Sequence, residues 1–309
     1  MFRWAFCPYI ILILLSIMEF KIHKNINQCR RLWNELSPNG SLFDVWDFRQ
    51  CFYNRQDNEP YFLVARNGIE ILGLIPLDFI KSKNEYSYFG GWFPERNSFF
   101  LKDKNKIAEL LDKCPANTCI EGISHDEGKY FSFSEDEFTY YLDISKYDYN
   151  FEKYFDSFDK KRRKNFKRDI KNIPKYKVHI NRLKDFKRLV DLNIKQFDEE
   201  SIFNDRTTKD SVYKMMNLAR KKGFLQMLSI EVKGKVEAVD VGILFGKWYH
   251  VITGSSNNQK IPNIGKLMTI LDIKNAINKK ARYVDFLASA GYWKSQWNFD
   301  REMLFKFLK

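Results

Sequence analysis

The order of apolar segments in the last third of the chain constrains its fold more than any other feature. Two apolar segments flank the turn Lys233-Gly234, and this pattern predicts a long antiparallel hairpin. Four more segments follow, which we predict to be a third strand, a helix and two further strands: residues 247–256, 266–280, 281–289 and 298–309. This order predicts an α/β fold of the α+β type, with a mixed sheet.

The length of 309 residues exceeds what one ordinary hydrophobic core accommodates, so two domains are expected. We place a first domain at residues 18–140 and a second one, which carries the segments above, at residues 141–309. In the first domain, the dipeptide Asn67-Gly68 between two apolar stretches predicts a hairpin. We also predict one helix over residues 42–56 and a strand over residues 86–93.

The N-terminus carries one apolar run, residues 4–18, behind Arg3. A spanning helix needs about 20 such residues, and a cleaved signal needs a small-residue motif after the run, which this sequence lacks. A second methionine, Met18, opens a segment with the pattern of an ordinary domain. We therefore expect translation to start at Met18; a short membrane anchor and a signal peptide are the alternatives. Membrane association is expected only if residues 1–17 are translated.

The net charge is +13, and a basic surface attracts polyanions such as nucleic acid, anionic lipid, nucleotide sugars or the phosphates of coenzyme A. Basic residues are densest at residues 160–171, where aromatic residues at helical spacing predict a helix with one apolar stripe. Such a helix either binds a polyanionic acceptor or tRNA, or is a solvated surface.

The cysteines and histidines form no recognisable site. The five cysteines include no Cys-x-x-Cys pair, and the four histidines have no metal-ligand spacing. We therefore expect no disulfide framework, no metal and a reducing, cytoplasmic location.

Four motifs of the second half match those of a known enzyme group. They are the basic segment 161–168; the strand with Gly234, Val236, Ala238, Val239 and Gly242; the turn Pro262-x-x-Gly265; and Asp285-Phe286-Leu287 followed by Gly291-Tyr292-Trp293-Lys294-x-x-Trp297. With these motifs, the chain from residue 141 onward resembles the Fem-like branch of the GNAT N-acetyltransferase superfamily. That branch includes Fem-type peptidoglycan aminoacyltransferases and acetyltransferases associated with exopolysaccharide biosynthesis. The resemblance implies tandem GNAT folds, the first of them degenerate.

The activity that the resemblance implies is N-acyl transfer from acetyl-CoA to a small-molecule amine acceptor. An amino sugar of surface polysaccharide, in some cases nucleotide-linked, is one such acceptor. Two alternatives stay open. One is a Fem-type aminoacyltransferase that uses aminoacyl-tRNA for a peptidoglycan precursor, and the other is a non-catalytic scaffold or nucleic-acid-binding protein on the same fold.

The donor is expected to bind where the helix after Pro262 begins. The first amide groups of a helix lack partners and the helix dipole is positive there, which suits a phosphate group. Gly265 allows close approach of a phosphate to the backbone, and Asn263, which by resemblance occupies the place of the superfamily's first loop glycine, tolerates a left-handed conformation. The predicted cofactor-binding residues are Lys260, Asn263, Ile264, Gly265 and Lys266. The alternative is a plain turn before an amphipathic helix.

Acyl transfer to an amine requires a stabilised oxyanion and removal of a proton from the amine. By resemblance, Lys294 stabilises the transition state. Asp285, at the end of a predicted strand, and His250, whose imidazole titrates near neutrality, are the other catalytic candidates. Both also suit purely structural roles inside a sheet. The candidates for acceptor binding are Arg163, Asp240 and Tyr292.

Overall fold

The computed structural model describes residues 18–288 and 292–309. The first of two sheets contains β1 (Glu19–His23), β2 (Asn58–Asn67), β3 (Glu70–Ile80), β4 (Glu85–Tyr88) and β5 (Phe100–Leu101). These strands follow the order β1-β2-β3-β4, and β5 pairs with β3. The helices of this part of the chain are α1 (Ile26–Leu36), α2 (Trp46–Arg49) and α3 (Ile107–Asp112).

The second sheet has eight strands in the order β6-β13-β7-β12-β11-β10-β9-β8. They are β6 (Cys119–Ile123), β7 (Ser134–Asp143), β8 (Tyr176–Ile180), β9 (Leu228–Val232), β10 (Lys235–Phe245), β11 (Trp248–Ser256), β12 (Tyr283–Ala288) and β13 (Asp300–Leu308). Its helices are α4 (Phe151–Asp156), α5 (Lys160–Lys171), α6 (Phe186–Phe197), α7 (Arg206–Lys221) and α8 (Ile264–Asn278). A 3₁₀ turn, Tyr292–Trp297, connects β12 to β13.

The order of elements predicted for the second half is confirmed. β9 and β10 form the hairpin at Lys233-Gly234, and both turn residues have positive φ. β11 extends the antiparallel arrangement, and β12 then lies parallel to β11, so the sheet is mixed as predicted. α8 packs on the face of the sheet that carries Ala238, whereas α6 and α7 pack on the face that carries Val239 and Val241.

In the first half, one predicted hairpin is confirmed and one predicted helix is wrong. The hairpin at Asn67-Gly68 is confirmed, because β2 and β3 pair antiparallel around it. The single helix over residues 42–56 is wrong: Val45 is extended (φ −82°, ψ 118°) and separates a 3₁₀ turn from α2. The break allows Phe43 to pack with α6 and α7 while Trp46 packs in the core of the first sheet.

The loop after β4 crosses to the second sheet. The strand predicted at residues 86–93 ends at Tyr88, because Gly90 and Gly91 turn the chain with φ of 91° and 76°. Farther along, Asn97 forms a bridge with Ile123 of β6. This loop therefore runs along the second sheet and carries polar residues of the first half to it.

The sheet boundary does not follow the predicted domain boundary at residue 140. β6 and most of β7 precede that residue, yet both belong to the second sheet, with β13 between them. The C-terminal strand thus pairs with the segment that links the two halves. The division at residue 140 stays a prediction.

No helix within residues 18–288 and 292–309 combines the length and the apolar character needed to cross a membrane. The predictions for residues 1–17 concern a segment that lies outside the described residues.

β11 and β12 diverge soon after they begin. They pair only at residues 248–250 and 283–285. Beyond these positions β11 stays paired with β10 and β12 with β7, and the described residues show no ladder between β11 and β12. Backbone groups along this gap therefore lack sheet partners, and the gap offers a ligand a place between two strands.

Candidate active site

A cavity of about 720 Å³ occupies the gap between β11 and β12. Its walls come from the second half of β11, the end of β12 with the turn after it, the start of α8, and the loop after β4. The polar groups at its wall include Glu95, Asp240, Gly265, Lys266 and Lys294. Because Glu95 comes from the first half of the chain, both halves contribute to this cavity.

The end of β12 is a bulge that holds two ionisable groups. The register with β7 shifts between Asp285 and Ala288, and Leu287 takes a left-handed conformation with φ of 58°. The Leu287 carbonyl accepts a hydrogen bond from Lys294 Nζ at 2.7 Å. The next amide, Ala288 N, donates to both carboxyl oxygens of Glu95 at 2.8 Å. Consecutive residues therefore position an ammonium group and a carboxyl group at one cavity.

Lys294 is buried, with 3% of its surface exposed. Its Nζ lies 5.4 Å from the centre of the Tyr140 ring. Burial lowers the pKa of Lys294 to about 8, against the opposing effect of the charges of Glu95 and Asp285. In the described part of the chain Lys294 forms no ion pair closer than 4.0 Å, which leaves hydrogens of this ammonium group for a ligand.

Glu95 has the environment of a carboxyl group that gains and loses its proton near neutral pH. Burial and the charge of Asp285 raise its pKa to about 8, although the amide of Ala288 and the charge of Arg96 act in the opposite direction. Its Oε2 also accepts a hydrogen bond from Thr139 Oγ1 at 3.3 Å. A carboxyl group with such a pKa suits general base catalysis.

Asp285 and His250 lie beneath the bulge rather than in the cavity wall. Asp285 accepts hydrogen bonds from His250 Nδ1 at 3.0 Å, Arg96 Nη2 at 3.4 Å and Leu287 N at 3.0 Å. Burial disfavours the charged form, but Arg96 and His250 hold the pKa of Asp285 well below its usual range. Nε2 of His250 is buried without a partner among the described residues. These contacts fix the bulge, and a catalytic role for either residue stays a prediction.

The start of α8 has the predicted geometry of a tight turn. Asn263 takes the left-handed conformation with φ of 67° and precedes Ile264, whose side chain is buried in the core. A Cβ added to Gly265 would lie 2.7 Å from Ser256 Oγ, so the packing itself demands glycine here. Gly265 N donates to Asn258 Oδ1 at 3.1 Å. This amide therefore already has a hydrogen-bond acceptor, which a bound phosphate would have to displace.

The two lysines predicted beside the phosphate both contact carboxylates. Lys260 is hydrogen-bonded to Glu237, and Lys266 Nζ lies 2.6 Å from Asp169 Oδ2 of α5. Of the two, Lys266 lines the cavity. Binding roles for residues 260–266 stay predictions.

Asp240 reaches the cavity from β10 by passing over Gly254, whose added Cβ would lie 2.0 Å from Asp240 Oδ1. Its carboxyl group is hydrogen-bonded to that of Asp272 on α8, which also accepts from Tyr249 OH at 3.0 Å. Two carboxyl groups form such a bond only when one holds a proton. Burial raises the pKa of Asp240 to about 6 and that of Asp272 well above its usual value, so the pair retains a proton.

The other two residues predicted to bind the acceptor have different positions. Arg163 is outside the cavity wall, and its Nη1 donates to the Asp156 carbonyl at 2.7 Å. Its neighbour Arg162 contacts the turn that holds Lys294, by donating to the Gln296 carbonyl at 3.1 Å. Tyr292 begins that turn, and its side chain lies outside the described part of the chain.

Glu95 and Arg96 are the residues of the site that sequence reasoning missed. They follow Gly90, Gly91 and Pro94, a composition that indicates a loop, and loops supply many binding and catalytic residues. The segment was predicted as a strand up to residue 93, and nothing in it indicates that it reaches a strand 189 residues away.

Comparison with known proteins identifies a family model that matches part of the second half of the chain. Residues 160–295 match the model of a family described as an acetyltransferase (GNAT) domain. This segment includes both walls of the gap, α8 and Lys294. The matched segment thus contains the gap, whereas Glu95 lies outside it. No curated protein matches the sequence.

Solved structures share the fold over nearly the whole chain. FemX is 14% identical, with a TM-score of 0.61 and 94% of this chain and 98% of FemX covered. A tandem GNAT protein from the clavulanic acid biosynthesis pathway is 8% identical, with a TM-score of 0.55 and 94% of this chain and 98% of that chain covered. L-PGS from Bacillus licheniformis is 9% identical, with a TM-score of 0.55 and 90% of each chain covered. The predicted tandem GNAT fold is confirmed.

Proposed function

We propose that this chain is an N-acyltransferase that transfers an acyl group to an amine acceptor. The first candidate donor is acetyl-CoA, which supplies an acetyl group. The observation that carries the proposal is the placement of Lys294 and Glu95 at one cavity, held by consecutive residues of the β12 bulge. The GNAT domain over residues 160–295 supports the same reaction class. We expect the reaction to take place in the cytoplasm.

Several groups of the cavity wall suit acetyl-CoA. The start of α8 offers backbone amide groups and a positive dipole to phosphates, with Lys266 beside them. The gap offers unpaired backbone groups of β11 to the arm that carries the thioester. Lys294 also lines the cavity, and we place the reacting acyl group beside it.

The chemistry forms one C–N bond and breaks the C–S bond of the thioester. The amine loses a proton, and Glu95 is the group that accepts it. Lys294 donates a hydrogen bond to the oxyanion that develops on the thioester carbonyl, and the sulfur leaves as a thiolate that then takes up a proton. The raised pKa of Glu95 and the lowered pKa of Lys294 both support these roles near neutral pH.

Specific observations favour an aminoacyl group on tRNA as the second candidate donor. The Gly265 amide already donates a hydrogen bond to Asn258, and both neighbouring lysines contact carboxylates. These contacts compete with the binding of a phosphate at the start of α8. The exposed face of α5 presents basic residues that form no ion pair among the described residues: Lys160, Lys161, Lys164 and Lys171. The phosphates of a tRNA would bind to these exposed lysines.

Calorimetric titration with acetyl-CoA and, separately, with aminoacyl-tRNA at two salt concentrations distinguishes the donors. Saturable binding of acetyl-CoA supports the proposal. If acetyl-CoA does not bind and aminoacyl-tRNA binds in a salt-sensitive way, the Fem-type donor replaces acetyl-CoA in the proposal. If neither donor binds, the result contradicts an acyltransferase function and leaves the non-catalytic alternative.

Replacement of Lys294 tests the chemistry. We expect Lys294→Ala to lower kcat about 100-fold, because the oxyanion loses a charged hydrogen-bond donor. The readout is release of free thiol from acetyl-CoA, or deacylation of tRNA if that is the donor. Lys187→Ala, at an exposed position on α6, is the matched control and should leave kcat unchanged. Equal rates for Lys294→Ala and the native chain would remove the assignment.

A further inference from the structure

One wall of the cavity carries carboxyl groups without cationic partners. Glu95, Glu121, Asp136 and Glu137 all line it. None of them forms an ion pair within residues 18–288 and 292–309, in a protein whose net charge is +13. With so many lysines and arginines available, unpaired acids at one surface of a cavity indicate a cationic ligand.

A bulge in β7 brings two of these acids to the same side. Neighbouring residues of a regular strand point to opposite faces. The register of β13 with β7 shifts between Met303 and Phe305, and Asp136 and Glu137 lie in the shifted segment of β7. Both reach the cavity for this reason. Asp136 Oδ2 accepts a hydrogen bond from Gly122 N at 2.9 Å, which holds β7 and β6 together at the wall.

The acids of this wall influence one another. Burial and the charges of Asp136 and Glu121 raise the pKa of Glu137, whereas the charge of Lys294 lowers it. Glu137 in turn raises the pKa of Lys294. The acidic wall and the ammonium group proposed to stabilise the oxyanion therefore belong to one electrostatic environment.

Two exposed tryptophans line the same cavity. Trp92 is 62% exposed and Trp293 is 42% exposed. An indole ring that remains open to solvent beside carboxylates attracts ammonium groups through its π face. The combination of open indoles and unpaired acids is the chemistry that recognises organic cations.

We propose that the amine acceptor is a small organic polycation, in which one amine reacts and a second ammonium group binds between the acidic wall and the tryptophans. This inference rests on the proposed acyltransferase function and specifies its acceptor. Diamines and polyamines have this chemistry. An acceptor that carries phosphate groups, such as a nucleotide-linked sugar, would meet repulsion from the same carboxylates.

Binding is tested without any donor. The probes are spermidine and butylamine, which differ in the number of charges, titrated calorimetrically into the full chain. We expect spermidine to bind at least tenfold more tightly than butylamine and its affinity to fall with salt. Glu137→Gln should weaken spermidine binding about tenfold, because an acid of the cavity wall loses its charge. Glu135→Gln, an exposed acid two residues away on the same strand that does not line the cavity, is the matched control and should change nothing.

Acyl transfer then separates this inference from the proposed function. Transfer to spermidine with a KM that rises about tenfold in Glu137→Gln, at unchanged kcat, agrees with both. Transfer to butylamine or to an amino sugar nucleotide at equal or better kcat/KM, with no effect of Glu137→Gln, would overturn the polycation inference and keep the acyltransferase. Binding of spermidine without transfer from acetyl-CoA or aminoacyl-tRNA would keep the cation site and overturn the proposed function.

Discussion

Glu95 and Lys294 show how burial can tune two groups in opposite directions. Removal from water disfavours the charged form of each, so the pKa of the carboxyl group rises and that of the ammonium group falls. The bulge at Leu287 keeps them in place through one carbonyl and one amide. The strained conformation of Leu287 is thereby connected to the position of both groups.

The pH dependence of the reaction follows from these two residues. The rate should rise with pH as Glu95 loses its proton and should fall at higher pH as Lys294 loses its proton. The pH–rate profile is therefore bell-shaped, with its maximum near pH 8. Glu95→Gln keeps an oxygen to accept from Ala288 N but removes the base. We expect kcat to fall about 100-fold and the acidic limb of the profile to disappear. The measurement is kcat/KM between pH 6 and 10, with Glu35→Gln, exposed on α1, as control. An unchanged acidic limb in Glu95→Gln would contradict the base assignment.

Single residues of the candidate site were predicted from the sequence in two ways. Lys294 came from the resemblance, and it does line the cavity. Asp285 and His250 came from residue chemistry, and they contact each other beneath the cavity wall. Residue type indicates what a side chain is able to do. It does not indicate which neighbours neutralise it, and Arg96 comes from another part of the fold.

At the scale of elements, β10, β11 and α8 depend on glycines that leave room for larger side chains. Gly254 allows Asp240 to cross β11 and meet Asp272 on α8. Gly242 plays the same part for Tyr249, whose hydroxyl group would lie 2.7 Å from an added Cβ. The contact of α8 with the sheet is therefore partly polar.

We expect Gly254→Ala to destabilise the protein by about 2 kcal/mol, because the new methyl group displaces Asp240 and breaks its hydrogen bond to Asp272. Urea denaturation measures the change. Gly40→Ala is the control, since the nearest atom to an added Cβ there is 3.7 Å away. Equal urea midpoints for the two variants would contradict this expectation and show that the sheet accommodates the methyl group.

The elements of the second half were predicted because each is a continuous apolar stretch with turn residues at its ends. α6 and α7 bury one face each, whereas β10 is buried on both faces, between α8 and these two helices. The helix over residues 42–56 failed for a different reason. Its aromatic residues Phe43 and Trp46 belong to two different cores, and no single helical face serves both.

At the scale of the whole molecule, Arg96 joins the two halves of the chain. It lies in the loop after β4 and contacts Asp285 at 3.4 Å and Glu302 at 2.9 Å, both in the second sheet. Its guanidinium group also lies 5.2 Å from the centre of the Trp248 ring. The charge of Asp285 depends on this contact, because burial alone would disfavour it.

We expect Arg96→Ala to destabilise the chain by about 3 kcal/mol at neutral pH, since it leaves a buried carboxylate without its cation. The pKa of Asp285 lies below its unfolded value in the native chain, so this contribution is present at neutral pH and disappears as the pH falls through the acidic range. Urea denaturation at pH 7 and pH 2 measures both effects, because the contribution is lost only below the unfolded pKa of an aspartate, about 3.9. Arg30→Ala, which breaks an exposed ion pair with Asp47, should cost less than about 1 kcal/mol. A similar small loss in Arg96→Ala would contradict the expectation.

The loop that carries Glu95 and Arg96 also bears on how such a gene changes over time. One of two tandem folds can be lost from a gene only if the other fold needs nothing that it supplies. Here the first fold supplies a carboxyl group to the cavity and a guanidinium group to Asp285. A deletion that removed it would leave an open gap and an uncompensated acid. We therefore expect the two folds to be retained together, although only one of them contains the gap.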